Sequence, residues 1–264
     1  MKREVSSHIT ATITEPAELV LSVALAEGTP LASERLTATL DGERLPLREI
    51  VDAHGTRLHV VEAGAGEFDL TYRAIVDRYA PPRIVEDAER IRYLRPSRYC
   101  ESDSLSPTAV AEFHDLRGAQ LLDAVSSWVG THLTYVSGSS QPTDGAIQTL
   151  LSRQGVCRDF AHLVVALLRA REVPARVVSV YAPGLEPMDF HAVAEAAIDG
   201  KWCVVDATTL APRDSMLRIA TGRDASDTAF LTNQSGALIL NSLEVTATVD
   251  QFPEDDVTRL AQLR

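Results

Sequence analysis

The chain has 264 residues, 45% of them hydrophobic, enough for one large domain or two modest ones with an apolar core. A formal charge of −12 argues against nucleic acid or an anionic membrane as the main partner, because either polyanion would be repelled over most of the surface. Cys100, Cys157 and Cys203 are too few for a disulfide scaffold, and no apolar run approaches the roughly 20 residues of a membrane span, so the expectation is a cytoplasmic protein with reduced thiols.

Residues 1–80 read as a small β-sandwich. Val5, Ser7, Ile9, Ala11 and Ile13, and later Phe68, Leu70, Tyr72, Ala74 and Val76, alternate with the period of two expected of half-buried strands. Asp41-Gly42 between two apolar runs is a hairpin signal. Residues 81–107 read as a connector wrapped over the surface, since Pro81, Pro82, Pro96 and Pro107 interrupt regular elements. Residues 108–264 form the second predicted domain.

Within it, helical periodicity starts over 108–114 and strengthens over 118–133, where Leu121, Leu122, Val125, Trp128, Val129 and Leu133 share a face. A shorter helix runs to Arg153 from a cap at Thr143 or Asp144. After Cys157 comes the most apolar helix of the chain, hydrophobic nearly all round and ended by Pro174, so it should be the central buried helix. Strands follow over 175–181, 191–198 and 201–206, then a strand through Leu243, Val245, Ala247 and Val249, and a short C-terminal helix.

The chemistry gathers at three residues. Cys157 falls at the start of the apolar helix, where unsatisfied backbone N–H groups favour a thiolate and its own N–H can serve as an oxyanion donor. Gly155 is read as allowing a tight turn just before it, and Tyr135 is a candidate second oxyanion donor. His191 and Asp206 lie on two strands joined by Asp199-Gly200, the favoured two-residue hairpin turn. With Ile198 facing Lys201, Asp206 lies opposite Val193 and His191 is its diagonal neighbour on the same face, while Cys203 faces the other side opposite Ala196. A slip of one residue would separate the two groups. His162 is close to Cys157 in sequence but roughly 140° away around the helix, so it reads as structural. Arg223, Asp224 and Asp227 read either as a salt-bridged loop or as a wall of a substrate groove.

Gly155-Val156-Cys157-Arg158-Asp159-Phe160-Ala161-His162, Pro174-Ala175-Arg176, Asp189-Phe190-His191-Ala192 and Trp202 through Thr208 resemble the bacterial transglutaminase-like superfamily, broadly described as cysteine proteases. Pro96 to Cys100 and Gly222 to Asp227 are similar to stretches in the same proteins, so the likeness covers roughly residues 90–235. The resemblance implies an α+β fold: a papain-like core with a central helix packed on an antiparallel sheet, preceded in many members by a β domain. It also implies Cys157 as nucleophile, His191 as base and Asp206 as the orienting carboxylate. Val193 stands where the family often has tryptophan, and Ala207 where it often has proline, departures that bear on the substrate groove.

The expected activity is cysteine-dependent hydrolysis or acyl transfer at amide bonds of peptide or protein substrates through a thioester, with no cofactor and no metal. Transglutaminase-type transfer to an amine is one alternative, and a non-catalytic protein-interaction module retaining the fold is another. A zinc site built from Cys157, His191 and Asp206 is disfavoured because no close ligand pairs occur.

Overall fold

The computed structural model describes residues 1–264. The larger sheet contains β1 (Arg3–Leu21), β2 (Leu31–Leu40), β3 (Glu43–Leu45), β4 (Arg48–Val51), β5 (Arg57–Ala63) and β6 (Gly66–Val76). Next come α1 (Asp87–Arg92), α2 (Ser102–Phe113), α3 (Gly118–His132), β7 (Thr134–Tyr135), α4 (Ala146–Ser152), β8 (Gln154–Gly155) and α5 (Cys157–Ala170). Last are β9 (Ala175–Tyr181), β10 (Phe190–Ile198), β11 (Lys201–Val205), β12 (Leu217–Gly222), α6 (Ala225–Thr228) and β13 (Leu231–Val249). No helix is long and apolar enough to cross a membrane.

The alternation of β1 produces the larger sheet's core: Val5, Ile9, Ala11 and Ile13 are buried, and their neighbours in sequence are at most half-buried or polar. β1 pairs with β6 as far as Ile13 and with β5 from Ala17, and its register shifts in between. The sheet therefore folds over at this irregularity and brings β3 against β5 across the apolar interior, one continuous sheet enclosing a core as two sheets of a sandwich would.

The division at residue 108 is crossed by β13, which lies in the predicted second domain yet pairs with β1 from Arg3↔Val249 to Leu21↔Leu231. The C-terminal part of the chain thus completes the N-terminal sheet. The connector also holds more regular structure than its prolines suggested. It contains α1 and the first turn of α2, with Pro107 inside that helix. The hydrogen bond a proline forfeits is offset by burial of Leu105, Ala109 and Phe113 against α5. The C-terminal helix is absent: residues 250–264 run irregularly, pinned by Arg213 to Asp255 at 2.7 Å and by an isolated bridge from Val204 to Ala261.

The second sheet, ordered β11-β10-β9-β12, is antiparallel throughout and packs one face on α5. From Asp159 to Arg169 every residue of α5 is buried, as its all-round hydrophobicity implies. The two sheets share a core. Tyr181, Leu217, Ile219 and Ala220 pack with the interior of the larger sheet, and the Tyr181 hydroxyl donates to the Val23 carbonyl at 2.9 Å. A fragment of residues 1–80, lacking both β13 and this contact, is expected to show no cooperative thermal transition by circular dichroism, whereas the full chain melts cooperatively.

Candidate active site

The hairpin register is the one read from the turn: Ile198 pairs with Lys201, Ala196 with Cys203, and Ala194 with Val205. β11 ends there, leaving the edge of β10 uncovered from Val193 back to Phe190. His191 sits in that uncovered stretch and its Nε2 lies 2.9 Å from Oδ2 of Asp206, both side chains buried. Oδ1 of Asp206 accepts from the Thr208 hydroxyl at 2.7 Å and the Thr208 N–H at 2.9 Å, so the carboxylate is held from two sides.

Cys157 is the first residue of α5 and, unlike the buried Cys100 and Cys203, is partly open to solvent. Its helix start is braced by Asp159, whose Oδ2 accepts from the Val156 N–H at 2.8 Å and whose Oδ1 accepts from the Ser140 hydroxyl at 2.9 Å. This changes the explanation of Gly155. Its φ is not left-handed; a Cβ there would stand 2.7 Å from the Cβ of Asp159, so glycine makes room for the folded-back carboxylate. A two-residue parallel bridge, Thr134 to Gln154 and Tyr135 to Gly155, lays Tyr135 beside Cys157.

Electrostatics link these groups. Burial by itself would push the His191 pKa down. The charge and hydrogen bond of Asp206, followed by the influence of the neighbouring Cys157, outweigh it and raise the value to about 10. Burial would raise Asp206, but His191 and the two Thr208 donors hold it below the ordinary carboxylate value. The other ring nitrogen, Nδ1 of His191, is buried and makes no well-formed hydrogen bond. The Tyr135 hydroxyl is pushed up to about 12 by burial and by its neighbour Cys157, so it stays protonated at neutral pH.

His162 is structural, as its angle around the helix implied. It is fully buried, stacked on Tyr99 at 5.6 Å, and its Nε2 accepts from the Ala225 N–H at 3.0 Å. Burial lowers its pKa to about 3. The loop that meets it is salt-bridged, Arg223 to Asp227 at 2.9 Å, and Asp224 caps α6 and accepts from the Tyr99 N–H at 3.0 Å. The α4 cap differs from the reading: Gly145 is the cap residue, and the Ala146 N–H is satisfied by Glu101 Oε2 at 2.9 Å from a distant segment. Two positioning residues escaped the sequence reading. Thr208 follows Asp206 in the short D-x-T pattern that favours local hydrogen bonds, and Gly130 interrupts an otherwise regular amphipathic helix.

A model of the transglutaminase-like superfamily matches residues 107–207, a span that contains Cys157, His191 and Asp206. Along the full length, the crystal structure of a proposed cysteine protease from Cytophaga hutchinsonii is 32% identical, covers 100% of this chain and 96% of its own, and superposes with a TM-score of 0.88. The chain belongs to the transglutaminase-like superfamily. An uncharacterised Mycobacterium leprae protein is 28% identical over 131 residues, 46% of this chain and 45% of its own. An uncharacterised Mycobacterium tuberculosis protein is 44% identical over 62 residues, 24% of this chain and 20% of its own. The chain thus spans less than half the length of the curated relatives it matches. The matched span holds α5 and β9 to β11, the elements that bear Cys157 and His191 and lead into Asp206.

Two outcomes test this geometry. A Cβ on Gly130 would stand 2.8 Å from the Ala207 carbonyl oxygen, so Gly130→Ala must push the turn that carries Asp206. The expected loss is about 1–3 kcal/mol of stability in urea unfolding. The second concerns pH. His191 is raised from 6.5, so its contribution is fully present below about pH 6.5 and is lost as pH climbs toward 10. Asp206 is lowered from 3.8, so its contribution is present above that value and is lost as pH falls. The difference in melting temperature between the wild-type chain and His191→Gln should be largest at about pH 5–6 and shrink steadily toward pH 10.

Proposed function

We propose that this chain is a cysteine hydrolase or acyl transferase acting on amide bonds of peptide or protein substrates, with Cys157 as nucleophile, His191 as acid–base and Asp206 as the orienting group. The observation that carries the reading is the His191 ring. One nitrogen is occupied by Asp206, while the other, buried and otherwise unpartnered, is left on a ring that feels the Cys157 sulfur. A buried polar atom without a partner costs free energy, and proton transfer to and from the sulfur and the substrate gives this one a use.

In the proposed reaction the Cys157 thiolate attacks the amide carbon and the carbonyl oxygen becomes an oxyanion. The Cys157 N–H at the helix start and the protonated Tyr135 hydroxyl beside it are the donors suited to that oxyanion. The imidazolium passes its proton to the leaving nitrogen, the C–N bond breaks and a thioester remains. Water, activated by the now neutral ring, then releases the acid and restores the thiol. An amine in place of water gives transamidation by the same steps. Three unpaired cysteines support a reducing compartment such as the cytoplasm.

The test is alkylation of the native protein with iodoacetamide as pH is varied, with modified sites read by mass spectrometry. Cys157 should be labelled ahead of Cys100 and Cys203 across the pH series, and His191→Ala should remove that advantage. Equal, slow labelling of Cys100, Cys157 and Cys203 would refute the nucleophile.

A further inference from the structure

Asp189 is the last residue before β10 and stands two positions from His191. One of its oxygens accepts from the Phe190 N–H at 2.7 Å, which fixes the carboxylate at the rim. No cationic side chain pairs with it, although His191 and Tyr135 both lie within its electrostatic reach. The residue is exposed, and partial desolvation of its carboxyl raises its pKa.

On the far side of Tyr135 a cleft of about 380 Å³ opens between α3 and the turn after Asp206 and runs to Thr258. Serine and threonine hydroxyls line it together with Leu133, Phe160 and Val257, and its single charged wall residue is Asp123, which has no ion-pair partner. Arg158, next to Cys157 in sequence, is committed to Ser140 at 2.6 Å and to the Gln141 carbonyl at 2.9 Å. Asp189, beside His191 and within reach of Tyr135, and Asp123, in the cleft that Tyr135 lines, are thus both carboxylates without an ion-pair partner.

We infer that Asp189, with Asp123 in the cleft that Tyr135 lines as a lesser contributor, selects substrates that carry a positively charged group beside the amide presented to Cys157, as a lysine- or arginine-bearing peptide segment does. This specificity rests on the proposed role of Cys157, and a probe that needs no turnover separates the two. Methanethiosulfonates with a neutral methyl, a cationic trimethylammonioethyl or an anionic sulfonatoethyl group all react alike. The thiolate attacks the sulfenyl sulfur, a disulfide forms and methanesulfinate leaves. Labelling rates at Cys157 are compared after division by the neutral reagent's rate, which removes any change in nucleophilicity.

The cationic reagent should gain on the anionic one in the wild-type chain. Asp189→Asn should lower the cation-to-anion ratio by about threefold to tenfold, the size of a charge interaction across a partly wet site. Asp189→Ser, whose hydroxyl can still accept from the Phe190 N–H, should behave as Asp189→Asn does, and Asp189→Glu should keep the ratio. Asp123→Asn should lower it by less. A ratio unchanged in both Asp189→Asn and Asp189→Ser, with fast neutral labelling retained, overturns the specificity alone. Slow neutral labelling of wild-type Cys157, no faster than Cys100 or Cys203, overturns the nucleophile and the specificity together.

Discussion

His191 and Asp206 lie side by side at the end of a sheet with almost no contact to water. Removing either charge from solvent alone would cost several kcal/mol, so each is tolerable only with the other in place. Their pairing needs a hairpin in one register, a carboxylate held by Thr208, and a helix, α3, close enough to support the turn that follows. Gly130 is where that last demand becomes visible: the backbone of α3 meets the backbone of Ala207 so closely that no side chain fits between them. The arrangement is thus maintained by backbone contacts and local hydrogen bonds, which side-chain motion cannot easily undo.

Burial also separates the three thiols. Cys100 is enclosed and its pKa is driven to about 12; Cys203 is likewise raised by burial and faces the α5 side of the sheet. Both are kept as neutral core groups. Cys157 alone begins a helix at a partly open position, with a titrating ring and a tyrosine hydroxyl as neighbours. The difference comes from where each residue falls along its element, since the amino acid is the same.

What the sequence makes legible here is local. The Asp199-Gly200 turn sets a register, and the register alone carries His191 to Asp206 and turns Cys203 away. The continuous apolar run after Cys157 is sufficient to mark α5 as central. The contacts that stay hidden join distant segments. β13 has strand-like alternation, yet nothing near it in sequence shows that its partner is β1, more than 200 residues earlier. The cap of α4 is supplied by Glu101, so the search for a capping side chain next to the helix settles on Thr143 or Asp144 instead. Gly155 was legible as a special position for the wrong reason, because the close approach of Asp159 depends on a folded-back side chain and not on backbone dihedrals.

The larger sheet bears on the site through the strands it touches. Tyr181 ends β9 with its ring in the shared core and its hydroxyl bonded to Val23, and Phe190, its partner in β10, packs on both Tyr181 and Phe230. His191 is the next residue after Phe190, and Asp189 the one before. The N-terminal sheet, closed by β13, therefore anchors the short stretch that carries His191 and Asp189, at the point where β10 has lost the support of β11. Within the β9–β12 sheet that stretch is paired on one edge only, with β9. The shared core adds a second support through Phe190, so the position of His191 is tied to the folded state of the larger sheet.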